Sequence, residues 1–384
     1  MTASLRASAA IVGAAESEIG AAPDGTRPID LMAQASLRAL ADAGLTPLDV
    51  DGVFAATTQL SMAPLNLALE LGIDARYTDA TNVGGSSFMF HIGHARAAIA
   101  AGLCDVALIA YGSTQRLVGR SSASVQELDP WEAPFRPAMP VTAYALAASR
   151  HMHEFGTTRE QLASVAVAAR SWAAMNPGAW SRDPISIDDV LASRMVADPL
   201  TLRDCCLVTD GGAAIVVTSA ERAAALRRPP VFVLGTGEAH SHRHITGMPS
   251  LTTTAATRSG ATAFAEAGVT PGQVDVAQLY DAFTITPILF LEDLGFCAKG
   301  EGGPFAASGA IGPGGSLPLN TNGGGLSYTH PGMYGLHAIV EAVRQLRGEC
   351  EDRQVSGCDV AVAHGNGGVL SSQATVVLGS AATV

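Results

Sequence analysis

Two stretches of this chain read almost alike: residues 102–112 are GLCDVALIAYG and residues 357–365 are GCDVAVAHG. Each follows a helical stretch that begins at an Asn/Gly turn, Asn82-Val83-Gly84-Gly85 in one half and Asn320-Thr321-Asn322-Gly323-Gly324 in the other. A continuous apolar run of this length suits a strand buried on both faces. Repeating the unit implies two similar α/β halves, and the expected architecture is a duplicated five-layer αβαβα core.

The remaining periodicity fits that plan. Strands are expected at residues 9–15, 52–56, 106–111, 231–235 and 274–279, and helices at 29–43, 253–267 and 285–294, the first of these stopped by Gly44. Arg227-Arg228-Pro229-Pro230 reads as the linker, giving a first half over 1–226 and a second over 231–384. Residues of about 115–200 are richer in Pro, Trp and charge and read as an inserted loop domain, with helices at 141–155 and 159–175.

Composition narrows the function. With 48% hydrophobic residues, 15% charged and 41 Gly in 384, the chain is not a disordered one. A net charge of −12 argues against a nucleic-acid groove. The six cysteines form no C-x-x-C pair and read as small buried hydrophobes in a reducing cytosol, Cys205-Cys206 among them. The apolar stretch 9–15 is short and followed by Glu16 and Glu18, which fits a first strand better than a signal peptide. No apolar run reaches the ~18 residues of a membrane span, so a cytoplasmic location is expected.

Four segments carry a resemblance. They are NTNGGGLSYTHPGMYG (320–335), DCCLVTDGGAAIVV (204–217), YDAF (280–283) and Asn176-Pro177-Gly178-Ala179. Taken in their order along the chain they resemble the thiolase superfamily, in particular the sterol-carrier-protein-X-type thiolase-like proteins and the steroid side-chain-cleaving CoA-thioester aldolases. The resemblance implies a thiolase fold. It also shows two departures. Thiolases carry the acyl-accepting cysteine where this chain has Gly85, a change expected to open space, and a second cysteine where this chain has His364. Neither Ser86 nor Ser87 becomes a nucleophile without a nearby base.

What the resemblance leaves is enolate chemistry on a thioester. His330 is expected to donate to the thioester oxygen, with Tyr280 and Tyr334 as an acid/base pair and His364 able to move protons. Tyr328 ranks after these two tyrosines, and Asn322 and Gly85 are further candidates. The implied reaction is retro-aldol cleavage of a bulky, steroid-like β-hydroxyacyl-CoA to a ketone or aldehyde plus a short acyl-CoA, without an acyl-enzyme. The alternatives are a thiolase-type acyltransferase and a non-catalytic acyl-CoA-binding subunit. CoA enters as part of the substrate, with no bound cofactor expected and no residue assigned to it. No metal is expected: His240, His242 and His244 alternate at a strand end, where they read as a polar edge more readily than as ligands. Lys299, the only lysine, reads as a solvated loop residue instead of a Schiff-base group. His91 and His94 read as core or dimer contacts. A homodimer is implied, with a small OB-fold and zinc-ribbon subunit completing a heterotetramer, and neither nucleic acid nor a membrane as partner.

Overall fold

The structure, a computed structural model, describes residues 5–119 and 128–384. In the first half, β1 (Ala9–Glu16), α1 (Pro28–Ala43), β2 (Gly52–Ala55), α2 (Ala63–Leu71), β3 (Tyr77–Asp79), α3 (Ser87–Ala100) and β4 (Val106–Ser113) follow one another. The expected insertion comes next, with α4 (Val141–Phe155) and α5 (Arg159–Ala174); its residues 120–127 lie outside the described ones. The chain then forms β5 (Gly211–Ser219), β6 (Val231–His240), α6 (Ala256–Ala267), β7 (Val276–Leu279), α7 (Ile285–Asp293), α8 (Gly335–Arg347), β8 (Val360–Gly367) and β9 (Ser372–Gly379).

The strands lie in the order β3-β2-β4-β5-β1-β6-β9-β8-β7. Within it one pattern occurs twice. Strand β2 is parallel to β4, and β4, β5 and β1 then alternate antiparallel; β7 is parallel to β8, and β8, β9 and β6 repeat the alternation. The two half-sheets meet where β1 pairs with β6, at Ala10 with Phe232 and Ile11 with Val231. Helices α3 and α8 each pack on strands of both half-sheets, while α1 covers one and α6 the other. That is the five-layer core expected from the repeat.

Glycines let the outer helices approach equivalently. A Cβ on Gly13 of β1 would lie 2.1 Å from the Ala39 carbonyl of α1, and one on Gly235 of β6 would lie 2.1 Å from the Ala263 carbonyl of α6. Only hydrogen fits at either place.

Some local expectations differ. Helix α6 starts at Ala256, after Thr254, whose amide and hydroxyl both bond Asp293 and hold the chain out of helical geometry. Strand β6 runs to His240 and stops there, so the three histidines do not alternate along a strand. His240 stacks on Phe90 while the His242 ring reaches the Val369 carbonyl. Lys299 is not a free loop residue: its ammonium bonds Asp293 at 2.5 Å and lies 3.1 Å from Glu292.

One buried carboxylate ties the halves together. Glu16, the last residue of β1, receives the Tyr328 hydroxyl at 2.7 Å, His337 Nδ1 at 2.7 Å and Arg344 Nη1 at 2.6 Å, all from the second half. Burial alone would raise its pKa, but Arg344, His337 and Tyr328 outweigh that and hold it at about 2. Removing it strands two buried donors and the half-buried Arg344 guanidinium. Glu16→Ala should therefore lower the unfolding free energy by about 3 kcal/mol in urea titrations; a loss below ~1 kcal/mol would show that the cluster does not hold the halves together.

Candidate functional site

The residues between β7 and α8 build the site from two clamped turns. Asn320, at φ 52°, pairs with the Leu279 backbone like a short strand, its side chain accepting from the amide and donating to the carbonyl, each at 2.8 Å. The chain then makes a wide turn over Gly324–Tyr328, whose Gly325 and Leu326 amides donate to Asp281 at 2.6 and 3.2 Å. Only glycine fits at 324, since its φ is +64° and a Cβ there would lie 2.0 Å from Asp281 Oδ2. Burial raises the Asp281 carboxyl to about 7, against the pull of those amides.

This turn brings four of the expected residues together. Tyr280 Oη lies 3.1 Å from His330 Nε2 and accepts the Tyr334 amide at 3.1 Å. The Tyr334 hydroxyl donates to Asn322 Oδ1 at 2.8 Å, and that oxygen also takes the Gly324 amide at 2.8 Å. Asn176, in the expected Asn-Pro-Gly-Ala segment, donates to the Asn322 carbonyl at 2.9 Å. The His330 amide is held by Thr209 Oγ1 at 2.9 Å. Tyr280 is 4% exposed, Tyr334 0% and His330 7%. Burial drives both tyrosine pKa values well above 10 and His330 down to about 4, so the three groups are neutral near pH 7.

Gly85 joins them differently from expectation. It does not open space, because the Tyr280 ring fills it: a Cβ at position 85 would lie 2.1 Å from Tyr280 Cε2 and 2.7 Å from its hydroxyl. A cysteine at 85 and this tyrosine exclude each other.

The other candidates are placed elsewhere. The His364 ring is bonded to Thr375 Oγ1 at 2.9 Å and Gln373 Oε1 at 3.0 Å and packs on Phe290. Side chains alternate along β8, so the neighbour Gly365 is the residue that faces the Gly85 carbonyl, at 3.2 Å from its would-be Cβ. Burial lowers the His364 pKa to about 3. Tyr328 is tied to Glu16 and Ser87 to the Gly84 carbonyl, while Ser86 bonds Ser372 at 3.0 Å; neither serine is bonded to a base. His94 pairs with Asp79 at 2.6 Å, and His91 is wholly buried beside it.

The sequence reading missed Asp281, Thr209 and Glu16. Asp281 had a signal, an acid within the apolar YDAF turn that leaves a buried strand. The other two had none, because their partners are distant in sequence.

Residues 237–380 match the family described as thiolase C-terminal domain-like. The chain is 36% identical over 366 residues to the 17-hydroxy-3-oxo-4-pregnene-20-carboxyl-CoA lyase of Mycobacterium tuberculosis, covering 90% of this chain and 92% of that one. It is 34% identical to the acetyl-CoA acetyltransferase of Methanothermobacter thermautotrophicus, over 94% and 96% of the two chains. Among solved structures it is similar to the Ltp2-ChsH2(DUF35) aldolase, with a TM-score of 0.89, 33% identity and 98% of each chain covered.

Two outcomes follow from this geometry. Gly85→Cys should destabilise by about 1–3 kcal/mol through overpacking, and combining it with Tyr280→Asn should recover most of the loss in thermal unfolding. Additive losses would mean the two positions do not compete. The second outcome concerns acid. Unfolded histidines take up protons near 6.5, whereas folded His91 and His330 stay neutral to about 4 and His364 to about 3. The unfolded state binds more protons in that window, so stability falls as pH drops from 6.5 to 4; Asp281, protonated in the fold below about 7, offsets one of the three. Urea midpoints at the two pH values check the sign, and an unchanged midpoint contradicts it.

Proposed function

This chain belongs to the thiolase superfamily, among its thiolase-like acyl-CoA aldolases, and we propose that it cleaves a bulky, steroid-like β-hydroxyacyl-CoA by a retro-aldol reaction. One observation carries the choice of chemistry: the Tyr280 ring stands where a cysteine side chain at position 85 would have to be. Identity alone does not separate the reactions, since a lyase and an acetyltransferase match at 36% and 34%. The exclusion of a cysteine by the Tyr280 ring favours the lyase.

In the proposed reaction the β-hydroxyl loses its proton and the bond between the α- and β-carbons breaks. The β-carbon leaves as a ketone or aldehyde, and the bonding electrons pass into the thioester enolate, which takes a proton at the α-carbon. No acyl-enzyme is needed. Tyr280, hydrogen-bonded to His330, is the group able to pass a proton on, and Tyr334, whose hydroxyl already donates to Asn322, is the donor. Both are neutral at rest, so neither is a standing phenolate base; proton transfer accompanies bond cleavage. The tyrosines are buried, so a bulky substrate reaches them only when their covering opens.

The same reading includes a cytoplasmic homodimer with a separate small OB-fold and zinc-ribbon subunit. Support for a second component comes from the solved aldolase, whose name pairs two proteins, Ltp2 and ChsH2(DUF35). Among the described residues, no helix is long and apolar enough to cross a membrane.

The test is turnover of steroid-like β-hydroxyacyl-CoA substrates by the chain with and without such a subunit. Tyr280→Phe and Tyr334→Phe should each lower kcat/KM at least tenfold, ~1.4 kcal/mol of barrier. In D2O the released acyl-CoA should carry deuterium at its α-carbon, and intact mass should show no acyl adduct on the chain. An acyl adduct, or full activity in both phenylalanine variants, would sink the mechanism.

A further inference from the structure

His364 lies off the tyrosine cluster, yet it begins a line of buried hydrogen bonds that ends beside it. His364 Nε2 meets Gln373 Oε1 at 3.0 Å, Gln373 Nε2 donates to Asn366 Oδ1 at 2.8 Å, and Asn366 Nδ2 donates to Tyr144 Oη at 2.8 Å. The Tyr144 hydroxyl donates to the Gly368 carbonyl at 3.0 Å. Behind His364, Nδ1 meets Thr375 Oγ1, which meets Ser259 Oγ at 3.0 Å. All six side chains are at most 2% exposed.

The polarity of this line is fixed at one end. The Gly368 carbonyl can only accept, so Tyr144 donates to it and must accept from an amide N–H of Asn366. Asn366 then offers its oxygen to Gln373, Gln373 offers its oxygen to His364, and His364 carries its proton on Nε2. The assignment does not depend on how either amide was oriented. Reversing any link would turn the Tyr144 hydroxyl back onto Asn366 and take it off the exposed Gly368 carbonyl.

The end of the line touches the site. Tyr144 stacks on Phe283, three residues after Tyr280, with ring centroids 4.4 Å apart. The Gly367–Gly368 turn packs backbone to backbone on Gly84: a Cβ at Gly84 would lie 2.8 Å from both Gly367 Cα and the Gly368 nitrogen. Gly84 precedes Gly85, whose open side is filled by Tyr280. A displaced Gly368 therefore shifts the surface on which the Tyr280 ring rests, because packed interiors transmit such movement.

We propose that His364, Gln373, Asn366 and Tyr144 are positioning residues, a one-directional relay that sets the Gly367–Gly368 turn against the Gly84–Gly85 turn and so places Tyr280. The relay joins the inserted helix α4 to the last strands of the second half. Its effect on catalysis rests on the retro-aldol reading above; its polarity does not.

Gln373→Glu tests it with little change of shape. A carboxylate cannot donate to Asn366, so Asn366 turns its N–H toward residue 373 and its oxygen toward Tyr144, whose hydroxyl leaves Gly368. Tyr144→Phe removes the last link alone. Each variant should lower kcat about tenfold with little change in KM, as sub-ångström misplacement of a reacting group does, and the double variant should be no slower than Tyr144→Phe. Independent, multiplying losses, or unchanged kcat in Tyr144→Phe, would overturn the relay. A separate readout needs no substrate: nitrogen NMR of histidine-labelled wild-type protein should find His364 as the Nε2–H tautomer at neutral pH. The Nδ1–H tautomer would overturn the proposal whatever the kinetics. Absence of β-hydroxyacyl-CoA cleavage by the wild type would instead fail the functional reading and leave the relay to the spectrum.

Discussion

The contact between the Tyr280 ring and the hydrogen of Gly85 organises the site. With the ring seated there, its hydroxyl reaches both the His330 ring and the first amide ahead of α8. Tyr334 is then held with its own hydroxyl on Asn322, and Asn322 in turn fixes the turn that Asp281 grips from the other side. A side chain at 85 would push the ring out and dissolve that sequence of contacts. In packing terms Gly85 and Tyr280 are thus a single feature.

The site is also electrically quiet at rest. Burial keeps the tyrosines protonated, His330 unprotonated, and Asp281 near the middle of its titration. Groups held this way cost little to bury and respond strongly when charge develops, because few water dipoles screen them. The charged cluster around Glu16 joins the halves and borders the site, its His337 ring stacking on Tyr334 with centroids 6.1 Å apart.

Much of this was legible in the sequence, and the limits have physical causes. The repeat of one apolar strand with its preceding turn and helix gave the two halves, and the structure repeats the same pairing order in each. The Asn-x-Asn-Gly-Gly turn and His330 were visible because positive-φ and clamped positions demand particular residues. Tyr280 and Tyr334 emerged from the same segments. His364 misled because a one-residue step along a strand changes the face, and strand phase is not written in an all-apolar run. Gly85 misled because an absent side chain says nothing about what fills its place. The pairing of Lys299 and the company kept by Glu16 were hidden because their partners are fixed by the fold or lie hundreds of residues away.

The duplication has one more result. Helices α3 and α8 are equivalent elements of the two halves, and both begin at the same spot: a Cβ on Gly335, the first residue of α8, would lie 2.0 Å from the carbonyl of Gly85, two residues before α3. Their positive ends therefore converge on the Tyr280 ring. An enolate forming there would lie at two helix N-termini, an electrostatic bias contributed by the backbone and not by any side chain.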